Sequence, residues 1–112
     1  MIEQIAPAQF NAWLQQQDGA QPLVLDVRDP MELQVAQLQP RGFDLVHIPM
    51  YDIPARLAEL DPDRPMACLC HHGIRSQQVA MFLQRQGFAQ VVNLAGGIDA
   101  WAAQVDPSVP RY

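Results

Sequence analysis

The sequence predicts an α/β domain with a central, mostly parallel sheet of about five strands and helices on both faces. Three observations predict it. Short apolar stretches that read as strands alternate along the chain with amphipathic stretches that read as helices, which is the signature of strand–helix–strand units. No internal repeat or flexible linker interrupts the alternation. The chain has 112 residues, 49% of them hydrophobic, so residues 1–112 suffice for one buried core and leave no room for a second domain.

The elements follow in order. Ile2 to Ile5 reads as a short edge strand, and Pro7 to Gln17 as a helix with proline near its start and Phe10, Trp13 and Leu14 on one face, ended by Asp18-Gly19. Leu23 to Val27 is a buried strand. Asp29 is placed to cap a helix that starts at Pro30 and reaches about Gln39, before Pro40-Arg41-Gly42 turns the chain. Phe43 to Ile48 is the third strand, Ile53 to Leu60 a short helix, Asp61-Pro62-Asp63 a loop, and Met66 to Leu69 the fourth strand. From Arg75 to Gln86 the apolar residues Val79, Phe82 and Leu83 recur at helical spacing, with Gly87 as C-terminal stop. Val91 to Leu94 is the fifth strand, and a helix over Asp99 to Gln104 completes the cover.

Charge and cysteine usage narrow the function classes. The net charge is -5 and the seven basic residues are scattered singly, so neither nucleic acid nor anionic lipid finds a clustered basic surface. The N-terminal Met1-Ile2-Glu3-Gln4-Ile5 lacks a cationic region followed by an apolar core. No apolar run approaches the ~18 residues of a membrane span. The expectation is a cytoplasmic protein without membrane or nucleic-acid partners. Cys68 and Cys70, two positions apart, would close a disulfide ring of poor geometry and read as thiols.

Chemistry concentrates at Cys70-His71-His72-Gly73-Ile74-Arg75-Ser76, directly after the fourth strand and directly before the longest helix. Ligands of open α/β sheets bind outside the carboxyl ends of the strands, which is where Cys70 falls. A thiol attacks as its anion, and the unpaired N–H groups and positive dipole of a helix start stabilise that anion. Gly73 can take a positive φ and turn backbone N–H groups inward to cradle a small anion. The expectation is a Cys70 sulfur open to solvent in a narrow cup. Ser76 is expected to cap the helix or donate to the sulfur, with capping favoured. Asp26, Arg28 and Glu32 read as scaffold, and Trp101 with Met31, Met50, Met66 and Met81 as packing.

The loop Cys70-x-x-Gly73-x-Arg75-Ser76 resembles the active loop of single-domain rhodanese-like sulfurtransferases. Asp26-Val27-Arg28 with Glu32 is similar to that family's motif after its second strand, and Leu94-Ala95-Gly96-Gly97-Ile98 with Ala100-Trp101 to its C-terminal signature. Three motifs in the family's order cover most of the chain. The His47-Ile48-Pro49 segment departs from the pattern in its flanks and in its spacing from Glu32. No role is therefore carried onto His47, and Ala36 to Gly42 takes the place of the family's segment.

The resemblance implies a three-layer fold and a Cys70 thiolate that takes the outer sulfur of thiosulfate or a persulfide and passes it to a thiol, cyanide or a protein acceptor. Substrate contacts would come from His71, His72, Gly73, Ile74, Arg75 and Ser76, with no metal or organic cofactor. Arg75 is expected to bind an oxyanion or to form a surface ion pair, and the neutral imidazoles of His71 and His72 to donate hydrogen bonds or exchange protons. Two alternatives use the same residues. One is a phosphatase-like module, although the cell-cycle phosphatases that resemble rhodaneses place five residues between cysteine and arginine where this chain has four. The other is a metal module built on Cys68-x-Cys70-His71-His72.

Overall fold

A computed structural model describes residues 1–17 and 21–112. Its strands are β1 (Glu3–Ile5), β2 (Leu23–Asp26), β3 (Asp44–His47), β4 (Met66–Leu69) and β5 (Val91–Leu94); its helices are α1 (Phe10–Gln15), α2 (Pro30–Val35), α3 (Ile74–Arg85) and α4 (Gly97–Gln104). The strands form one sheet in the order β1-β5-β4-β2-β3, and all four pairings are parallel. The Asp18-Gly19 stop lies outside the described residues.

The two faces of the sheet carry separate cores because side chains alternate along each strand. Leu25 and Val27 of the second strand segment, with Met66, Cys68 and Cys70, point toward Val79, Ala80 and Leu83 of α3 and toward Ile53 and Leu60. Val24, Ala67, Leu69 and Leu94 point the other way, to Phe10 and Trp13 of α1, Trp101 and Ala102 of α4, and Ala36 and Leu38. Phe10 lies 5.1 Å from Trp101 and 5.2 Å from Phe43, ring centroid to centroid, both edge to face. Each such pair contributes about 0.5–1.5 kcal/mol beyond its buried area. This cluster fixes α4 against the sheet.

Several elements differ from the sequence expectation. The stretch from Pro7 begins as a 3-10 turn, Pro7–Gln9, before the α-helix proper. The helix from Pro30 ends at Val35 rather than Gln39, because Ala36 is extended (φ -153, ψ 139) and its carbonyl accepts a hydrogen bond from the Arg28 guanidinium at 2.9 Å. No continuous helix spans 53–60: 3-10 turns at Met50–Asp52 and Leu57–Glu59 stand instead. Pro54, whose ring obstructs the turn before it, keeps the Met50–Asp52 turn from running on as a longer helix; nothing in the structure explains why 53–60 does not form a helix of its own. Helices α3 and α4 each start earlier than expected, α4 by two residues, at Gly97.

The sheet order makes the space above β2 and β4 a natural binding place. The connection after β2 leads to the edge strand β3, while that after β4 leads the opposite way, to β5. In open α/β sheets ligands bind where the connections diverge in this way, which here is at the carboxyl ends of β2 and β4.

Candidate active site

Cys70 is the first residue after β4, and helix α4 holds the first two carbonyls of the loop it begins. The Ile98 N–H donates to the Cys70 carbonyl at 2.9 Å and the Asp99 N–H to the His71 carbonyl at 3.1 Å. Both carbonyls are thereby turned to the start of α4. Gly97 (φ +61) makes the approach possible, since a Cβ there would collide with the carbonyl oxygens of Cys70 and His71.

Opposite those carbonyls the sulfur meets donors. The Gly73 N–H points to Cys70 Sγ at 3.1 Å, and the Ser76 hydroxyl lies 3.3 Å from it. Gly73 (φ 97) is the residue that opens α3, and no side chain caps the helix. Ser76 therefore does not cap it: it sits inside the first turn, fully buried, with its hydroxyl donating to Asn93 Oδ1 at 2.6 Å and its oxygen beside the sulfur. The helix start is left to the positive φ of glycine, and the uncapped N–H groups of the first turn stay free for an anion.

Asn93 is a residue the sequence reading passed over. It is buried in the otherwise apolar strand β5, and its Nδ2 donates to the Gly73 carbonyl at 3.1 Å and to Gln4 Oε1 at 2.8 Å. One side chain thus orients both groups that touch the sulfur, Ser76 directly and Gly73 through its carbonyl. A lone polar residue in a buried apolar strand was the available signal.

The expectation of an open sulfur is corrected. Cys70 is 1% exposed. The sulfur lies at the floor of the loop, against Gly73 and Ser76, rather than at its mouth. Cys68 is sealed in the core, where burial first and neighbouring Cys70 second push its thiol up to about 12. It is a packing residue that stays protonated.

Around the mouth the loop residues separate. Ile74 is 72% exposed and His72 is exposed, whereas His71 is partly buried with its ring stacked between His72 and Tyr112, each centroid 3.8 Å away. His71 Nε2 is buried without a hydrogen-bond partner. Arg75 forms a two-pronged ion pair with Glu32, at 2.7 and 2.8 Å. The Arg75 bond holds the Glu32 carboxyl down to about 2 against the opposing effect of burial, helped by the Asp29 N–H and the Tyr112 hydroxyl; Glu32 in turn raises Arg75 above its ordinary value.

Below this pair, Arg28 is fully buried and clamps Asp26 through Nε and Nη2, at 2.9 and 2.7 Å. His47 Nε2 donates to the Arg28 carbonyl at 2.6 Å, so the end of β3 braces the same turn. These residues fix the loop between β2 and α2. The four ligands of the metal alternative do not converge, and the cluster of ligand atoms found among the described residues is His71, His72 and Asp99, within 4.8 Å of one another. Asp99 is engaged by Arg111 at 3.0 and 3.1 Å.

Residues 7–104 match the family described as the rhodanese-like domain. The chain belongs to the rhodanese-like domain family. This rhodanese-like chain is 37% identical over 92 residues to a sulfurtransferase of Allochromatium vinosum, covering 82% of each. It is 34% identical over 100 residues to thiosulfate sulfurtransferase GlpE of Pseudomonas syringae, covering 89% of this chain and 87% of that protein. It is also 41% identical over 91 residues to the rhodanese-like/PpiC domain-containing protein 12 of Arabidopsis thaliana, covering 80% of this chain but only 30% of that longer protein. Among solved structures, the rhodanese-related protein of Thermoplasma volcanium superposes with a TM-score of 0.78 at 27% identity, covering 98% of this chain and 99% of that one. The rhodanese-like fold and the loop geometry above thus coincide.

Proposed function

We propose that the protein is a sulfurtransferase that carries a sulfane sulfur as a persulfide on Cys70. In the first half-reaction the Cys70 thiolate attacks the outer sulfur of thiosulfate; the S–S bond of the donor breaks, and sulfite leaves with the bonding pair. Cys70 then bears a terminal, negatively charged sulfur. In the second half-reaction cyanide attacks that terminal sulfur, the new S–S bond breaks toward Cys70, thiocyanate leaves and the thiolate is restored. A persulfide donor enters by the same attack and releases a thiol, and a small thiol or a protein thiol can collect the sulfur in place of cyanide. No step needs a metal or an organic cofactor.

The observation that carries this reading is the Gly73 N–H on Sγ at 3.1 Å, at the uncapped start of α3, with the Ser76 hydroxyl 3.3 Å away and free to turn its proton from Asn93 to a thiolate. A backbone donor placed in advance on an anionic sulfur acts without reorganising during the reaction. Sulfur is favoured over phosphate on two grounds. Four residues separate Cys70 from Arg75, and the Arg75 guanidinium is committed to Glu32 rather than turned over the loop to embrace three phosphate oxygens. Arg75 and the imidazoles of His71 and His72 line the approach for an anionic donor, and Ile74 offers an apolar contact at the rim.

The names of the Allochromatium and Pseudomonas relatives point the same way, the second toward thiosulfate. Two free thiols suit the reducing cytoplasm, where we place the reaction; among the described residues no helix is long and apolar enough to cross a membrane. The test is thiocyanate production from thiosulfate and cyanide. Turnover is expected in the native protein and in Cys68→Ala, and none in Cys70→Ser; turnover retained by Cys70→Ser excludes Cys70 as the carrier.

A further inference from the structure

The sulfur of Cys70 is buried, yet the proposed transfer requires two molecules in turn to reach it, so something above it must move. The segment 106–112 is the candidate, and its contacts are specific. Val109 anchors it in the core beneath α4, and Arg111 holds Asp99 in the first turn of α4. Tyr112 then lies flat on His71, with 3.8 Å between centroids and 6° between planes. Its hydroxyl accepts from Arg28 Nη1 at 3.0 Å and donates to Glu32 Oε1 at 2.9 Å, the carboxylate that also holds Arg75. One aromatic ring therefore bridges the residue after Cys70 and the ion pair at the far end of the loop.

We propose that Tyr112 is a gate that sets the size of the molecules admitted to the Cys70 sulfur. In this role it is a specificity-determining residue: cyanide and other small reactants slip past the ring or need little displacement of it, whereas a bulky thiol acceptor must wait for it to swing away. The inference rests on the sulfur-transfer reading for its biological purpose. It does not need that reading for its physical test.

The geometry suits a movable part. Tyr112 meets the residues around the loop through its side chain, on His71, Arg28 and Glu32, and the residue is 37% exposed. When it leaves, Glu32 keeps Arg75 and the Asp29 N–H, while Arg28 keeps Asp26 and the Ala36 carbonyl, so no charged group is stranded. His71 gains by the change. In the closed arrangement its Nε2 is buried without a partner, an unfavourable condition that exposure to water relieves. The closed state is thus stabilised by a stack and two hydrogen bonds and opposed by one unsatisfied nitrogen, which is the balance expected of a gate rather than of a permanent plug.

The experiment measures the rate of alkylation at Cys70 by iodoacetamide and by the much larger fluorescein-5-maleimide, with the adduct assigned by peptide mass mapping so that Cys68 is not counted. Native protein is compared with Tyr112→Ala and Tyr112→Phe. Loss of the stack and of both hydrogen bonds is expected to raise the ratio of bulky to small reagent rates by about tenfold or more in Tyr112→Ala. Tyr112→Phe keeps the stack and loses only the hydrogen bonds, so its ratio is expected to fall between. An unchanged ratio in Tyr112→Ala overturns the gate. Because no sulfur donor takes part, that failure is distinct from failure of the transfer reading, which shows as absence of thiocyanate formation in the native protein.

Discussion

At the scale of single residues, the site is governed by who donates to whom. Ser76 has one hydroxyl proton and two acceptors in reach: Asn93 Oδ1 takes it at 2.6 Å in this structure, and a charged sulfur at 3.3 Å competes for it. A hydrogen bond to a charged group is worth about 1.5–3 kcal/mol, so Ser76→Ala is expected to lower kcat/KM for sulfur transfer by roughly 10- to 100-fold without changing the donor used. Steady-state kinetics with thiosulfate and cyanide check this; an undiminished rate would leave the sulfur to the Gly73 amide alone. Gly97 makes a structural prediction of the same kind. Any side chain there must adopt a positive φ and displace the Cys70 and His71 carbonyls, so Gly97→Ala is expected to cost more than the ~1–2 kcal/mol of the backbone conformation itself. Urea unfolding measures the loss, and a variant as stable as the native protein would show that the loop does not need this contact.

At the scale of elements, α2 is tied to the cysteine loop by Glu32 and Arg75, and that tie has a pH signature. The Arg75 bond holds the Glu32 carboxyl down to about 2 in the folded protein against its ordinary 4.5, so the pair stabilises the fold fully above about 4.5 and loses its contribution as pH falls from there toward 2. Glu32→Gln is therefore expected to narrow the stability difference between about pH 6 and about pH 3 relative to the native chain, read from urea midpoints at the two values. Equal acid sensitivity in both proteins would mean that other carboxylates govern this range.

The alternation of elements was readable because each strand and long helix carries its own periodicity, and Val91 to Leu94 and Met66 to Leu69 were placed to the residue. Helix α2 stops early because a tertiary contact overrides a favourable local pattern, the Ala36 carbonyl turning to Arg28, and 53–60 does not form a continuous helix although its local pattern permits one. Around the site, local pattern placed Cys70 at the end of β4 and Gly73 at the start of α3, because local geometry decides where a loop and a helix start. It could not reveal that Ser76 binds Asn93, seventeen positions away, or that Tyr112 stacks on His71. Such contacts depend on how the chain returns over the sheet.

At the scale of the whole molecule, a parallel sheet with different cores on its two faces delivers the cysteine loop from β4 and its bracing from β2, α2 and α4. The deepest brace is the Asp26–Arg28 pair, in which the arginine is entirely enclosed. Removing one partner of a buried pair leaves an uncompensated charge, so Asp26→Ala is expected to destabilise the protein by about 3–5 kcal/mol. Thermal unfolding of that variant checks the figure, and a shift near zero would show the pair to be dispensable. The site therefore inherits its geometry from the fold, while the proposed chemistry depends on one sulfur atom. Intact-protein mass spectrometry after exposure to thiosulfate, without acceptor, tests that dependence most directly. The mass of one added sulfur, mapped to Cys70, removed by cyanide and absent from Cys70→Ser, is the result expected; an unmodified protein, or sulfur on Cys68 instead, contradicts the account.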